Sequence, residues 1–293
     1  MVTVMGRRNR LPHFIALITV AGLAAAANPP QRIVSTAPSI TEVLFALGLG
    51  DRVVGVTRFC RYPPEAQTKA KVGDYINPNL ETIASLRPDL VIVQTNPVRL
   101  SERLTALHLR PLEVNQENIA AIYNSIRAIG EATGAADRAD RLIARIREGL
   151  ESVRARAAPL RRVGMMFVVG RAPNRLDGLI VAGRASYLNE IIELAGGTNV
   201  FHDAVAAYPA ISLEQVIARR PEVIVDMGDM SEVSGVSEDH KRAVVELWRG
   251  ARAAAAMKPR DVYAVASEIF TVPGPRVVDA ARAFFDMLHP DGK

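Results

Sequence analysis

The chain has 293 residues, 49% of them apolar and 23% charged, with a net charge of +5 at neutral pH. That length buries one large or two ordinary cores, and that balance excludes an extensively disordered chain. The single cysteine, Cys60, excludes an internal disulfide, and the arginine excess sits beside Asp and Glu without interleaved aromatics, as in ADRADRLIARIREGLE, which reads as a solvated helix face and not as a nucleic-acid surface.

Residues 1–27 read as an export signal. Arg7, Arg8 and Arg10 form its basic start, and Phe14 to Ala27 is an apolar run ending in alanines suited to cleavage after Ala27. That run is shorter than the ~20 residues a membrane span requires. Arg7-Arg8 leaves the Sec or Tat route open. No cysteine follows, so lipid attachment there is not expected, and the mature chain is expected in a periplasm.

Gln31 to Val34 predicts a first strand, followed by a helix from Pro38 to Leu47 and a strand over Val53 to Val56. The glycines of GLGDRVVG end a helix and precede a strand, the reverse of a phosphate cradle, so a helix C-cap is expected there. Residues 57–81 read as an irregular, aromatic-bearing loop. A short helix, a strand over Leu90 to Val93, a helix over Pro97 to Leu107 and a turn and strand at RPLEV follow. Ile119, Ile122, Tyr123, Ile126 and Ile129 then share one helical face, with a break expected over Gly130 to Gly134.

Ala136 to Ala157 predicts one long helix with its stripe at Leu142, Ile143, Ile146, Leu150 and Val153, stopped by Pro159. Beyond it, VGMMFVV predicts a strand, Gly170 to Gly183 a Gly- and Pro-rich loop, and 201–211 an irregular stretch. A strand over Val223 to Asp226, a helix over Lys241 to Ala253, the strand DVYAVAS, a loop over Glu268 to Pro275 and a helix over Arg276 to Leu288 complete the order. The expected division is a signal at 1–27, an N-terminal lobe at 28–135, a linking helix at 136–158 and a C-terminal lobe at 159–293.

The chain writes two of its segments twice. LETIASLRPDLVIV at 80–93 aligns without gaps with LEQVIARRPEVIV at 213–225, matching Leu80/Leu213, Glu81/Glu214, Arg87/Arg220 and Pro88/Pro221. SITEVLFALGLGDRVV at 39–54 echoes SYLNEIIELAGGTNVF at 186–201 in the same order. In each Leu-Glu copy a capping residue, Asn79 or Ser212, opens a short helix, and Gln215 completes a capping box with Ser212. Two ordered echoes predict two similar α/β halves with mainly parallel sheets.

Catalytic signatures are missing: there is no G-x-S-x-G elbow, P-loop or HExxH, and Cys60 has no evident histidine partner. His108, His202, His240 and His289 lack the i, i+3 or i, i+4 pairing of a metal site. No catalytic residue, metal ligand or cofactor is therefore assigned. A secreted α/β enzyme and a signalling module remain the readings of another class.

With YPPEAQ at 62–67, NLETIASLRPDLVI at 79–92, AGGTNVF at 195–201, YPAISLEQVIARRP at 208–221 and SEIFTVPGPR at 267–276, the chain from Arg32 to Leu288 resembles the periplasmic substrate-binding proteins of ABC importers for vitamin B12, haem and ferric siderophores, and the vitamin B12-binding branch most. The resemblance implies two Rossmann-like lobes joined by one long rigid helix, with the ligand in the cleft between them. It implies a non-enzymatic monomer that hands a macrocyclic ligand to an ABC permease dimer and its ATPase. Glu81 and Glu214 stand where one carboxylate per lobe docks onto that dimer.

The resemblance also implies ligand contacts at Phe59, Tyr75 and Tyr208, where aromatics hold a corrin ring, and at Phe270. Tyr75 and Tyr208 replace the usual tryptophans, Glu268 replaces an aspartate near a corrin amide, and Ile269 replaces a further aromatic. Arg184, after Gly183 of the facing loop, reaches a propionamide or a carboxylate. Haem requires an axial Tyr or His, for which Tyr75 and His202 are candidates. Arg58, Arg61 and Arg184 keep a ferric siderophore open.

Overall fold

The computed structural model describes residues 28–95, 99–228, 237–250 and 259–291. The export signal read over 1–27 lies outside the described residues, as do Pro97 and the expected helical end at Ala253.

The N-terminal half is a five-stranded sheet of Ile33–Ser35 (β1), Val53–Val56 (β2), Ala70–Lys71 (β3), Leu90–Gln94 (β4) and Pro111–Val114 (β5), in the order β3-β2-β1-β4-β5 with every pair parallel. Its helices are Pro38–Ala46 (α1), Leu80–Ser85 (α2), Leu100–Ala106 (α3) and Ile119–Thr133 (α4). The C-terminal half comprises Val163–Gly170 (β6), Leu179–Val181 (β7), Tyr187–Leu194 (α6), Gly197–Asn199 (β8), Ala210–Ile211 (β9), Leu213–Arg219 (α7), Val223–Asp226 (β10), Glu238–Gly250 (α8), Asp261–Ala264 (β11) and Val277–Leu288 (α9). Its strand order is β11-β10-β6-β7-β9, with β8 also on β6.

The echoes in sequence are echoes in space. β1 lies between β2 and β4 as β6 lies between β8 and β10, all parallel, and β5 and β11 extend the two sheets equivalently. The helix-ending arginines match as well: Arg87 and Arg220 both take left-handed backbone, with φ of 46° and 47°. The acids of the two Pro-acid turns share a task. Asp89 accepts the backbone N–H groups of Gln31 and Arg32 at 2.7 and 2.9 Å before β1, and Glu222 accepts that of Gly164 at 3.1 Å in β6. Each carboxylate closes the start of the neighbouring central strand.

Ala136–Ala157 (α5) connects the halves. Its buried stripe, from Ala139 through Leu142, Ile143, Ile146, Leu150 and Val153 to Ala157, recurs at three- and four-residue spacing and faces a core drawn from both halves. Two close approaches clamp it. A Cβ on Gly130 in α4 would lie 2.5 Å from Ala139 Cβ, and one on Gly149 in α5 would lie 2.6 Å from a Val278 methyl in α9.

Several sequence expectations need correction. α4 does not break at Gly130 but runs on to Thr133, because Gly134, at φ 71°, is the left-handed cap that ends it. The loop read over 170–183 contains β7, antiparallel to β6, and the stretch read as irregular over 201–211 ends in β9, antiparallel to β7. The second sheet is therefore mixed. Residues 57–81 likewise contain a 3₁₀ turn at Pro64–Thr68 and β3. Residues 268–270 at the start of the last loop form a further 3₁₀ turn.

Candidate functional site

Parallel strands joined by helices put the following loops at the carboxyl edge of each sheet, where crevices form. Between the two halves lies such a cleft, of about 290 Å³. Ser39 at the start of α1, Gln94 at the end of β4, and Gln116 and Glu117 after β5 line it from one lobe. Ser186 and Tyr187 at the start of α6, Tyr208 before β9 and the segment 271–273 line it from the other.

Two of the expected ligand residues meet here. Tyr75 and Tyr208 line the same cleft from opposite lobes. The Tyr75 hydroxyl donates to the Thr95 carbonyl at 2.9 Å, and burial followed by the Glu117 carboxylate pushes its phenol above 10. Tyr208 is 45% exposed as a whole residue, yet the surroundings of its hydroxyl push that phenol up to about 12. Both rings therefore stay neutral well above physiological pH.

The other expected residues lie around this pair. Phe59 is 41% exposed, with the Arg58 guanidinium 5.0 Å above its ring, and Arg58 pairs with Asp74 beside Tyr75 at 2.5 Å. The Arg184 backbone N–H donates to Ala204 O, and Gly183 N–H donates to Ala207 O, which ties this turn to the loop carrying Tyr208. Glu268 starts the turn that ends in the cleft segment 271–273. Phe270 is placed differently from the sequence expectation. Its ring is 2% exposed and packs on Phe284 at 5.1 Å and Phe167 at 5.6 Å, while its carbonyl accepts from the Tyr187 hydroxyl at 2.7 Å. That ring belongs to the core behind the cleft. His202 Nδ1 lies 2.9 Å from Asn199 O, away from the cleft lining, and Cys60 is buried beside Thr41 and Thr57.

Sequence reasoning missed the charged cluster that ties the lobes together. Arg276, at the start of α9, forms a two-point ion pair with Glu42 of α1, Nε to Oε2 being 3.0 Å, and its guanidinium lies 4.1 Å above the Tyr62 ring. Glu268 stands 3.7 Å from Arg276 and 3.8 Å from Arg61. Burial raises the Glu42 carboxyl above its ordinary value, and the Arg276 hydrogen bond and charge oppose that rise. No sequence signal joins residues so far apart in the chain. Nothing in the residue pattern marked Gln116 either, although it is buried and lines the cleft.

The expected docking carboxylates occupy equivalent places. Glu81 and Glu214 are the second residues of α2 and α7, capped by Asn79 Oδ1 and by the Ser212–Gln215 capping box. Each helix links two parallel strands, so its start lies on the carboxyl edge of its sheet, the edge that holds the cleft. Both residues are exposed, and neither has an ion-pair partner among the described residues. The Ser212 hydroxyl holds the Glu214 carboxyl below its ordinary value.

A family model described as periplasmic binding protein matches residues 33–268. The vitamin B12-binding protein of Vibrio cholerae is 28% identical over 267 residues, 90% of this chain and 91% of that protein. An ABC transporter substrate-binding lipoprotein of Bacillus subtilis is 30% identical, covering 89% of this chain and 81% of its own. Among solved structures, the periplasmic vitamin B12-binding protein of Vibrio cholerae has a TM-score of 0.74 at 28% identity over 89% of this chain and 98% of that one. The periplasmic haem-binding protein of Roseiflexus in its apo form has a TM-score of 0.72 at 28% identity over 88% and 99%.

Proposed function

The chain belongs to the periplasmic binding protein family, and we propose that it captures a corrinoid, a vitamin B12-like macrocycle, between its lobes and delivers it to an ABC importer. The observation that carries this reading is the cleft: Tyr75 and Tyr208 face it from opposite lobes, beside two glutamine amides and two serine hydroxyls. Flat apolar rings bind the faces of a macrocycle, and neutral amides and hydroxyls suit its amide-bearing rim. Among the described lining residues the only formal charge is the carboxylate of Glu117, which disfavours a cargo rich in anionic groups. The cleft volume sits at the low end of ligand pockets, so a whole corrinoid also meets the rim, where Phe59, Arg184 and Glu268 are assigned.

Haem is the second reading. The haem-binding protein of Roseiflexus supports it at 28% identity, and Tyr75 offers an axial oxygen. Its raised phenol stands against it, since a ferric ligand is needed as the phenolate. The ferric-siderophore reading is weaker, because Arg58 is paired with Asp74, Arg61 lies near Glu268, and Arg184 is not a lining residue.

In this reading the protein is an exported monomer cut after Ala27, with 28–135 and 159–293 as the lobes and 136–158 as the link. It binds and delivers without chemistry, and Glu81 and Glu214 engage the two permease subunits. The test is calorimetric titration of the chain from Asn28 with cyanocobalamin and then with hemin. One-to-one cobalamin binding that is lost in Tyr208→Ala supports the corrinoid. A hemin complex without cobalamin binding moves the protein to the haem reading, and binding of neither overturns the macrocycle.

A further inference from the structure

Gln116 is the buried polar side chain in the cleft whose hydrogen bonding is incomplete. It is 1% exposed, and its Oε1 accepts from the Ser39 hydroxyl at 2.5 Å, yet its Nε2 has no partner among the described residues. Buried amide donors are nearly always paired, and an exception at the wall of a cleft calls for an explanation. The loop that carries Gln116 is braced on both sides. Asn115 Oδ1 accepts the Glu117 N–H at 2.9 Å, and Asn115 O accepts the Ser125 hydroxyl at 2.5 Å. Ser39 fixes the amide plane from the other end. The donor is thus oriented before any ligand arrives, at little further entropy cost.

We propose that Gln116 is a ligand-reading residue whose Nε2 donates to a carbonyl-type oxygen on the rim of the bound macrocycle. The inference rests on the macrocycle reading of the cleft. Gln116 lines the same cleft as Tyr75 and Tyr208, so a ring held by the tyrosines presents its side groups to this wall. The amide sits at the seam between the lobes: a Cβ on Gly274 of the C-terminal lobe would lie 3.6 Å from Ser39 Cα. Nε2 is shielded from bulk water. A hydrogen bond made there is stronger than one on the open surface. The tyrosines would then supply affinity for any flat ring, and Gln116 would supply selection among rim groups.

The test compares wild type with Gln116→Leu and Gln116→Glu, by thermal melting without ligand and by titration with cyanocobalamin, then with hemin. Leu removes the unpaired donor together with the acceptor of the Ser39 hydroxyl, so the two changes offset in the ligand-free melt while affinity falls about tenfold or more, equal to 1.4 kcal/mol. Glu keeps the acceptor for Ser39 and removes the donor, so affinity falls there too. A melting temperature that falls while ligand affinity stays at the wild-type value makes the residue structural and overturns the proposal. So does unchanged affinity where wild type binds, which leaves the macrocycle reading standing. Tighter binding by Gln116→Glu assigns a donor to the ligand and overturns the stated polarity. If wild type binds neither probe, the macrocycle reading falls and the proposal falls with it.

Discussion

Arg276 and Glu42 stand 234 positions apart in the chain, on opposite lobes, and form a two-point ion pair that is almost withdrawn from water. Removing one partner leaves the other charge buried and uncompensated. Breaking such a pair costs about 3–5 kcal/mol, less here because Arg276 keeps Glu268 and the Tyr62 ring nearby. We expect Glu42→Ala to destabilise the protein by about 2–3 kcal/mol, read as a lower midpoint in urea at unchanged m-value. A loss below about 0.5 kcal/mol would class the pair with exposed ones.

The clamp on α5 predicts limited lobe motion. One packed helix joining the halves across a shared core resists the large hinge rotation that flexible connections allow. Solution scattering with and without bound ligand is expected to show nearly the same radius of gyration. Gly149→Val drives a side chain into Val278, and overpacking of this kind costs about 1–3 kcal/mol. A neutral Gly149→Val would mean that α5 and α9 separate easily, and a clear compaction on ligand binding would mean that the link bends.

What was legible in the sequence is what local pattern encodes. The long helix is written in its apolar stripe, and the doubled helix-turn-strand units in their caps and Arg-Pro turns. β7 and β9 were not legible. They are three and two residues long, Ile180 faces water, and antiparallel pairing of β7 with β6 and of β9 with β7 makes them strands. The site divides in the same way. By the rule that the resemblance carries aromatic positions over, Tyr75 and Tyr208 were expected at the ligand, and both line the cleft. Phe270 follows the same rule and faces inward, because Phe167 and Phe284 compete for its ring. Gln116 and the Glu42–Arg276 pair depend on tertiary partners alone.

The Pro-acid turn of the second lobe gives a pH signature. Hydrogen bonding from Arg161 lowers the Glu222 carboxyl from 4.5 to about 2. The unfolded chain therefore takes up this proton first. The stabilisation is complete above pH 4.5 and is lost as pH falls towards 2. With side chains 67% and 39% exposed, solvent screening limits the effect to about 1 kcal/mol. Glu222→Gln is expected to lower the melting temperature at neutral pH and to flatten its decline on the acid side. Parallel acid-side curves for the two proteins would mean that the pair contributes nothing.

Glu81 and Glu214 yield the prediction that separates binding from delivery. Both sit in the first turn of a capped helix, where the dipole favours a carboxylate whatever its role. Helix capping by itself therefore predicts a small stability loss and nothing more for Glu→Ala. Docking predicts something else. Two related permease subunits would meet two related lobes, and paired charges at such a rim set orientation and association rate more than ligand affinity. In the double variant Glu81→Ala/Glu214→Ala, ligand affinity is expected within about twofold of wild type, since neither residue lines the cleft. Ligand-stimulated ATP hydrolysis and uptake by the cognate importer in proteoliposomes are expected to be lost, with each single variant partly impaired. Full uptake by the double variant would reduce both residues to helix caps, and a large drop in ligand affinity would place them in the cleft instead.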